Sequence, residues 1–115
     1  MASGTISKHA IEYTELLATT TISGTGNKAL SADINIFDFL IVTLYNTSLA
    51  NEGKTFFVPP SEYANRIDVS WNATDSTSYY IIMTISFTNA VLGISKFTMA
   101  GFTTAKIKVQ GAKII

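Results

Sequence analysis

Apolar and polar positions alternate with a period of two through most of the chain. Ile67, Val69 and Trp71 alternate with Arg66, Asp68, Ser70 and Asn72. Ala105, Ile107 and Val109 alternate with Lys106, Lys108 and Gln110. Tyr79, Ile81, Met83, Ile85 and Phe87 fall on one face of a stretch whose other face carries Thr84, Ser86 and Thr88. Successive side chains of a strand point to opposite sides, so this pattern predicts half-buried antiparallel strands. Enrichment in Thr, Ile, Val, Phe and Tyr, which fit a pleated surface, agrees. Strand-breaking residues fall at Gly24-Thr25-Gly26-Asn27, Asn51-Glu52-Gly53, Pro59-Pro60, Asn72-Ala73-Thr74-Asp75 and Gly93. Together the two signals predict strands near 12–22, 30–34, 37–45, 54–58, 66–72, 78–89, 94–102 and 105–114. That succession predicts an all-β protein, an antiparallel β-sandwich of jelly-roll-like form with about eight strands.

Four stretches need separate treatment. The segment YTELLATT admits a helical turn, but its Thr run and the lack of a helix to pack on favour a strand. The charge-free span from Ser76 to Ser95 is about as long as a membrane-spanning helix. Its Ser and Thr residues and its strict alternation fit a central strand and turn instead. The run NIFDFLIVTLYN sets Phe37, Phe39 and Ile41 on one face and Leu40, Val42 and Leu44 on the other. A strand apolar on both faces is central in its sheet or lies under a subunit contact. Leu40, Val42 and Leu44 are therefore candidate interface residues. In the last strand Gly111 interrupts the alternation as a bulge would. Ile114 and Ile115, which water would not favour, are expected to close the core or a subunit interface.

Composition sharpens this picture. The chain has 115 residues, the size of one domain, with 47% hydrophobic and 14% charged residues. An average domain is roughly 25% charged. With so few charges, part of the surface must be Thr, Ser, Asn or apolar, as in a protein that covers surface against copies of itself or a partner. Residues 1–10 read as a polar N-terminal arm and 11–115 as a single β-sandwich domain. The opening MASGTIS has little of its own to bury and is expected to lie against a neighbouring subunit. Lys+Arg and Asp+Glu each number 8, so no basic stripe offers nucleic acid a footprint. No amphipathic helix suited to a membrane surface is present in the pattern. The sequence MASGTISKHAIEY lacks the apolar core of a signal peptide, and the sequons at Asn46 and Asn72 read as chance matches of polar loops. Cysteine is absent, which excludes disulfides, a thiol nucleophile and Cys-based zinc sites.

Little chemistry assembles from what remains. Asp38 sits at the entrance of the richest apolar strand, where it can accept backbone N–H bonds or pair with a Lys. Catalysis would need a second titratable group in reach, and the sequence supplies none. His9 is the single histidine, too few for a triad or a His-based metal site. Gly24-Thr25-Gly26-Asn27-Lys28 lacks the spacing and following helix of a phosphate loop and reads as a hairpin turn. These residues predict no enzyme, no cofactor and no metal. Trp71 shares its face with Ile67 and Val69 and is assigned to the core. Tyr80, on the opposite face of its strand, is the candidate exposed aromatic. With Asn72 and Asp75 it forms a candidate contact for a partner or a glycan.

The order of elements resembles a known group. YTELLATTTISGTGNKALSADI leads to NIFDFLIVTLYN, a short strand precedes VPP, a tryptophan strand precedes YYIIMTISF, and the chain closes on AKIKVQGAKII. This resembles the small all-β structural domains of tailed bacteriophages, of the tail-fibre, tail-tip or capsid-decoration type. In these a G-x-I-x-L segment precedes Y-D-x-L-I-V, and the chain ends on a strand like K-I-x-G-I-K. Leu30, Phe37-Asp38-Phe39-Leu40-Ile41-Val42 and Lys108-Val109-Gln110-Gly111-Ala112-Lys113 occupy those places, with Phe37 where the pattern has Tyr. The resemblance implies a non-enzymatic virion protein, made in the bacterial cytoplasm, that forms homo-oligomers, commonly trimers. It would bind other virion proteins and, at a tail tip in host attachment, a host-surface saccharide. A short chain opening on its own Met1 fits a capsid decoration or head-fibre protein as well. A monomeric carbohydrate-binding module is the alternative from another class.

Overall fold

Eight strands follow one another along the chain: β1 (Ile11–Ile22), β2 (Gly26–Ala29), β3 (Phe39–Asn46), β4 (Gly53–Val58), β5 (Ile67–Asn72), β6 (Tyr80–Thr88), β7 (Val91–Ala100) and β8 (Ala105–Ile114). The structure is a computed structural model that describes residues 10–46, 53–72, 79–101 and 104–115. Residues 1–9 of the arm assigned to 1–10 lie outside the described residues, as does Asp75. Sheet A has the order β1-β8-β3-β4 and sheet B the order β2-β7-β6-β5, with every pairing antiparallel. The first strand pairs with the last and the second with the seventh, as in a wrapped jelly roll. The middle strands close locally as the hairpin β3–β4 and the meander β5–β6–β7. The fold is therefore an all-β antiparallel sandwich, with eight strands among the described residues.

The period-two pattern produces the core. Leu40, Val42, Leu44, Ile107 and Val109 point inward from sheet A and meet Val69, Trp71, Ile81, Met83, Ile85 and Phe87 from sheet B. Trp71 is 8% exposed and belongs to this cluster, as its face predicts. Each fully buried aliphatic side chain of this kind contributes about 1.5–3 kcal/mol.

Sheet A's outer strand is less regular. Glu15 faces Gln110, Leu17 faces Val109 and Thr20 faces Ile107, so β1 gains one extra residue in each interval. These two bulges explain why YTELLATT breaks the alternation. They turn Leu16 into the core and leave Leu17 half-buried against it. The backbone at the first bulge is capped from outside: Ser31 N donates to Leu16 O at 2.9 Å, and Ser31 Oγ to Glu15 O at 2.9 Å.

The sequence places a hairpin turn at Gly24–Asn27 and a strand over 30–34, and the structure differs. The strand is Gly26–Ala29, paired to β7, and Gly26 enters it at φ 145°. Leu30 and Ile34 are buried but irregular. Their N–H groups donate to Ala90 O at 2.8 Å and Asn89 O at 2.9 Å, and a 3-10 turn follows at Ile34–Ile36. Gly93 does not break a strand either. It lies within β7, and the turn falls at Asn89 and Ala90, with Asn89 at φ 50°.

Gly111 is not a bulge. It sits in register between Thr14 and Leu40, and a Cβ there would stand 2.6 Å from the Phe37 ring. The glycine makes room for an aromatic ring at the end of the core. Beside it the Tyr63 hydroxyl donates to Phe37 O at 3.4 Å, and the Tyr63 ring meets Phe87 edge-on with centroids 6.5 Å apart. Burial, with the Asp38 carboxylate adding to it, raises the Tyr63 pKa above its ordinary value. Among the described residues no helix is long and apolar enough to cross a membrane.

Candidate functional site

The two sheets present different outer faces. Side chains alternate on a strand, so the outward residues of sheet A follow from its register. One row is Ile11 and Ile114. The next is Tyr13, Ala112 and Phe39, followed by Glu15, Gln110, Ile41 and Phe57. Beyond these come Lys108, Thr43 and Thr55, then Lys106, Tyr45 and Gly53. Phe57 is 69% exposed and Tyr13 54% exposed, with Ile11 and Ile114 also open to solvent. Ile41 and Ala112 are buried yet stand outside the sandwich core, because their aromatic neighbours cover them from the solvent side. Phe39 and Phe57 meet edge-on with centroids 6.0 Å apart. The result is a contiguous apolar half-face with a shallow recess of about 280 Å³, lined by Tyr13, Ile41, Thr43, Thr55, Phe57 and Gln110. Exposed apolar patches of this kind mark association surfaces on small proteins.

Among the described residues no strand pairs with the outer edge of β4, which borders this face. β4 pairs with β3 without a register shift from Leu40↔Val58 to Tyr45↔Gly53. It carries Phe57 outward and a single charge, Lys54. The other three edges are blunted by familiar means. β1 is bulged and capped by Ser31, β2 is four residues long, and β5 carries Asp68.

Asp38 has a structural role in holding the patch. Its N–H donates to Ala112 O at 2.8 Å, and its Oδ2 accepts from Ile114 N at 2.6 Å. The carboxylate thereby continues the β3–β8 ladder past Phe39 and fixes the strand end that bears Ile114. Ile115 N donates to Ala10 O at 3.0 Å, which ties the same end to β1. Strand entry, the role that the sequence gives Asp38, is the one seen.

The candidate interface residues divide. Leu40, Val42 and Leu44 are each 0% exposed inside the chain's own core, so they are not on an outer face of the sandwich. The correction has a simple cause. Both faces of β3 are apolar, and alternation does not say which of them the second sheet covers. Ile114 and Ile115 are exposed, at 51% and 62%, and lie at the apolar end of the sheet A face. The structure pairs Asn72 directly with Tyr80 across β5 and β6. Asn72 is exposed and Tyr80 half-buried, while Tyr79 is the more open aromatic there.

Tyr13, Phe39, Ile41 and Phe57 carry the site, and none was singled out as a contact residue in the sequence. One signal does exist: Phe56 and Phe57 are adjacent on a strand, so one of the two must face outward. Among the described residues no cluster of three or more His, Asp or Glu side chains could hold a metal. No protein-family model and no curated protein sequence matches this chain.

Proposed function

We propose that this chain is a non-enzymatic structural protein of a bacteriophage particle that works as a homo-oligomer, in a tail fibre or tail tip engaged in host attachment. The observation that supports this reading is the apolar half-face of sheet A on a chain with only 14% charged residues. A face of aromatic and aliphatic side chains without a deep cavity suits protein association rather than capture and turnover of a small molecule. The resemblance in strand order and in the FDFLIV and KVQGAK segments supports the assignment to a phage particle. The polar outer face of sheet B, with Asn72 paired to Tyr80, is the surface proposed to meet a host saccharide.

Immunogold imaging of the phage particles with antibody against this chain tests the reading. Label at the tail end is the expected result. Label over the head would replace host attachment with capsid decoration or a head fibre. Particles without label would overturn the virion reading and leave a carbohydrate-binding module.

A further inference from the structure

The sheet A face carries both a knob and a recess, and its polarity is graded along the strands. Phe57 on β4 projects from one edge. The recess runs from Phe57 across Ile41 and Thr43 to Gln110 and Tyr13, near the opposite edge. Rows at one end are apolar, and the lysines of the other end, Lys106 and Lys108, both lie on β8. We propose that two copies of this chain pack sheet A against sheet A about a two-fold axis parallel to the strands, running between β3 and β8. This rests on the reading of the chain as a homo-oligomer and names the surface that makes it one.

The face itself selects this axis. A two-fold along the strands lays each row on its own counterpart, so apolar rows meet apolar rows. It also lays β8 over β3 and β1 over β4 of the other copy. Lys108 then faces Thr43, and Lys106 faces the Tyr45 ring, so no lysine meets a lysine. Phe57 of each copy comes to lie over the stem of the edge residue Glu15 of the other, with Tyr13 and Gln110 beside it, where the recess opens. Such reciprocal contact, in which residue i meets j and j meets i, is what a two-fold interface requires. A two-fold across the strands that keeps the whole face in contact would set the apolar rows against the lysine rows. The chain's net charge of zero leaves no long-range repulsion to oppose the pairing. The occupant is thus a second copy, and the pair is a dimer where the resemblance implies trimers.

Sedimentation equilibrium on the full chain is expected to give a dimer. Phe57→Asp is expected to weaken self-association about 30-fold or more, the loss of one interface anchor. Ile82→Asp, on the outer face of sheet B, is the control expected to leave the dimer intact. A thermal midpoint of the Phe57→Asp monomer near that of the parent would show that the fold is kept. A second test fixes the axis, using the absence of native cysteine. Glu15→Cys chains mixed with Thr55→Cys chains and a short bis-maleimide are expected to cross-link to each other. Glu15 and Thr55 stand on opposite edges of one sheet and one row apart, about 16 Å by strand spacing and rise, so a short link between them marks the second copy. Cross-links of Glu15→Cys to itself alone would overturn the proposed axis. An oligomer that Phe57→Asp leaves unchanged, a trimer included, would overturn the proposed face and keep the homo-oligomer reading. A parent chain that stays monomeric would overturn both.

Discussion

The outer face of sheet A and the outer face of sheet B are built from the same kind of strand and differ in almost everything they present. Sheet A shows Ile11, Tyr13, Phe39, Phe57 and Ile114 around the covered Ile41 and Ala112. Sheet B shows Asp68, Ser70, Asn72, Ser86, Lys96 and Thr98, with Ile82, Val91 and the half-buried Tyr80 scattered among them. On sheet B the Thr84 hydroxyl donates to Asp68 Oδ1 at 2.7 Å, so a polar pair does there what an aromatic pair does on sheet A. A sandwich needs only its inner faces to be apolar. The second apolar face of sheet A is therefore surplus to the sandwich core, and it is the surface that the proposed self-association would use.

The largest expected effects test whether the two faces share one core. Leu40→Ala under sheet A and Met83→Ala under sheet B should each lose about 3 kcal/mol, because both side chains are fully buried. Chemical denaturation should show a single transition in both cases. Two separate transitions would break the comparison, since the sheets would then be independent units. Next comes Gly111→Ala. A methyl group 2.6 Å from the Phe37 ring should cost about 2 kcal/mol, seen as a lower thermal midpoint.

Asp38→Ala should cost about 1 kcal/mol and loosen the Ile114 end of β8. Amide exchange at Ile114 should speed up while Val109 stays protected. The Tyr63 pKa, raised by burial and by Asp38, gives a pH signature at the same end. The folded state holds its proton more tightly than the unfolded chain does. The corresponding stability is fully present below about pH 10 and is lost as pH rises through the folded pKa. Tyr63→Phe should flatten that alkaline fall in urea midpoints. The smallest expected effect on folding is the most informative one. Phe57→Ser should change monomer stability by about 0.5 kcal/mol or less, since most of the ring already lies in water.

Much of this was legible in the sequence, for a physical reason. Where strands are half-buried, as in Ile67–Asn72 and Ala105–Ile114, alternation records the core directly, and the predicted ranges fall within a residue of those seen. The strand β2 was not legible. Its GNKA sequence buries nothing fully, and its conformation comes from pairing with β7, a tertiary contact that local propensity does not record. Gly111 reads as a bulge because the sequence shows a missing side chain but not the Phe37 ring that fills its place. The apolar face was half legible. The sequence shows β3 to be apolar on both sides, and only the second sheet decides that Leu40, Val42 and Leu44 go inward and Phe39 and Ile41 outward. Tyr13 and Phe57 join them from strands far apart in the chain, so their meeting is a property of the sheet order.

The central claim is that the sheet A face, and not the sheet B face, is covered when chains associate. Hydrogen–deuterium exchange measured across protein concentrations tests it directly. Peptides covering Gly53–Val58 and Ile11–Glu15 should gain protection as concentration rises, while Ile67–Asn72 should not change. Equal gains on both sheets, or a gain confined to β5, would contradict the account.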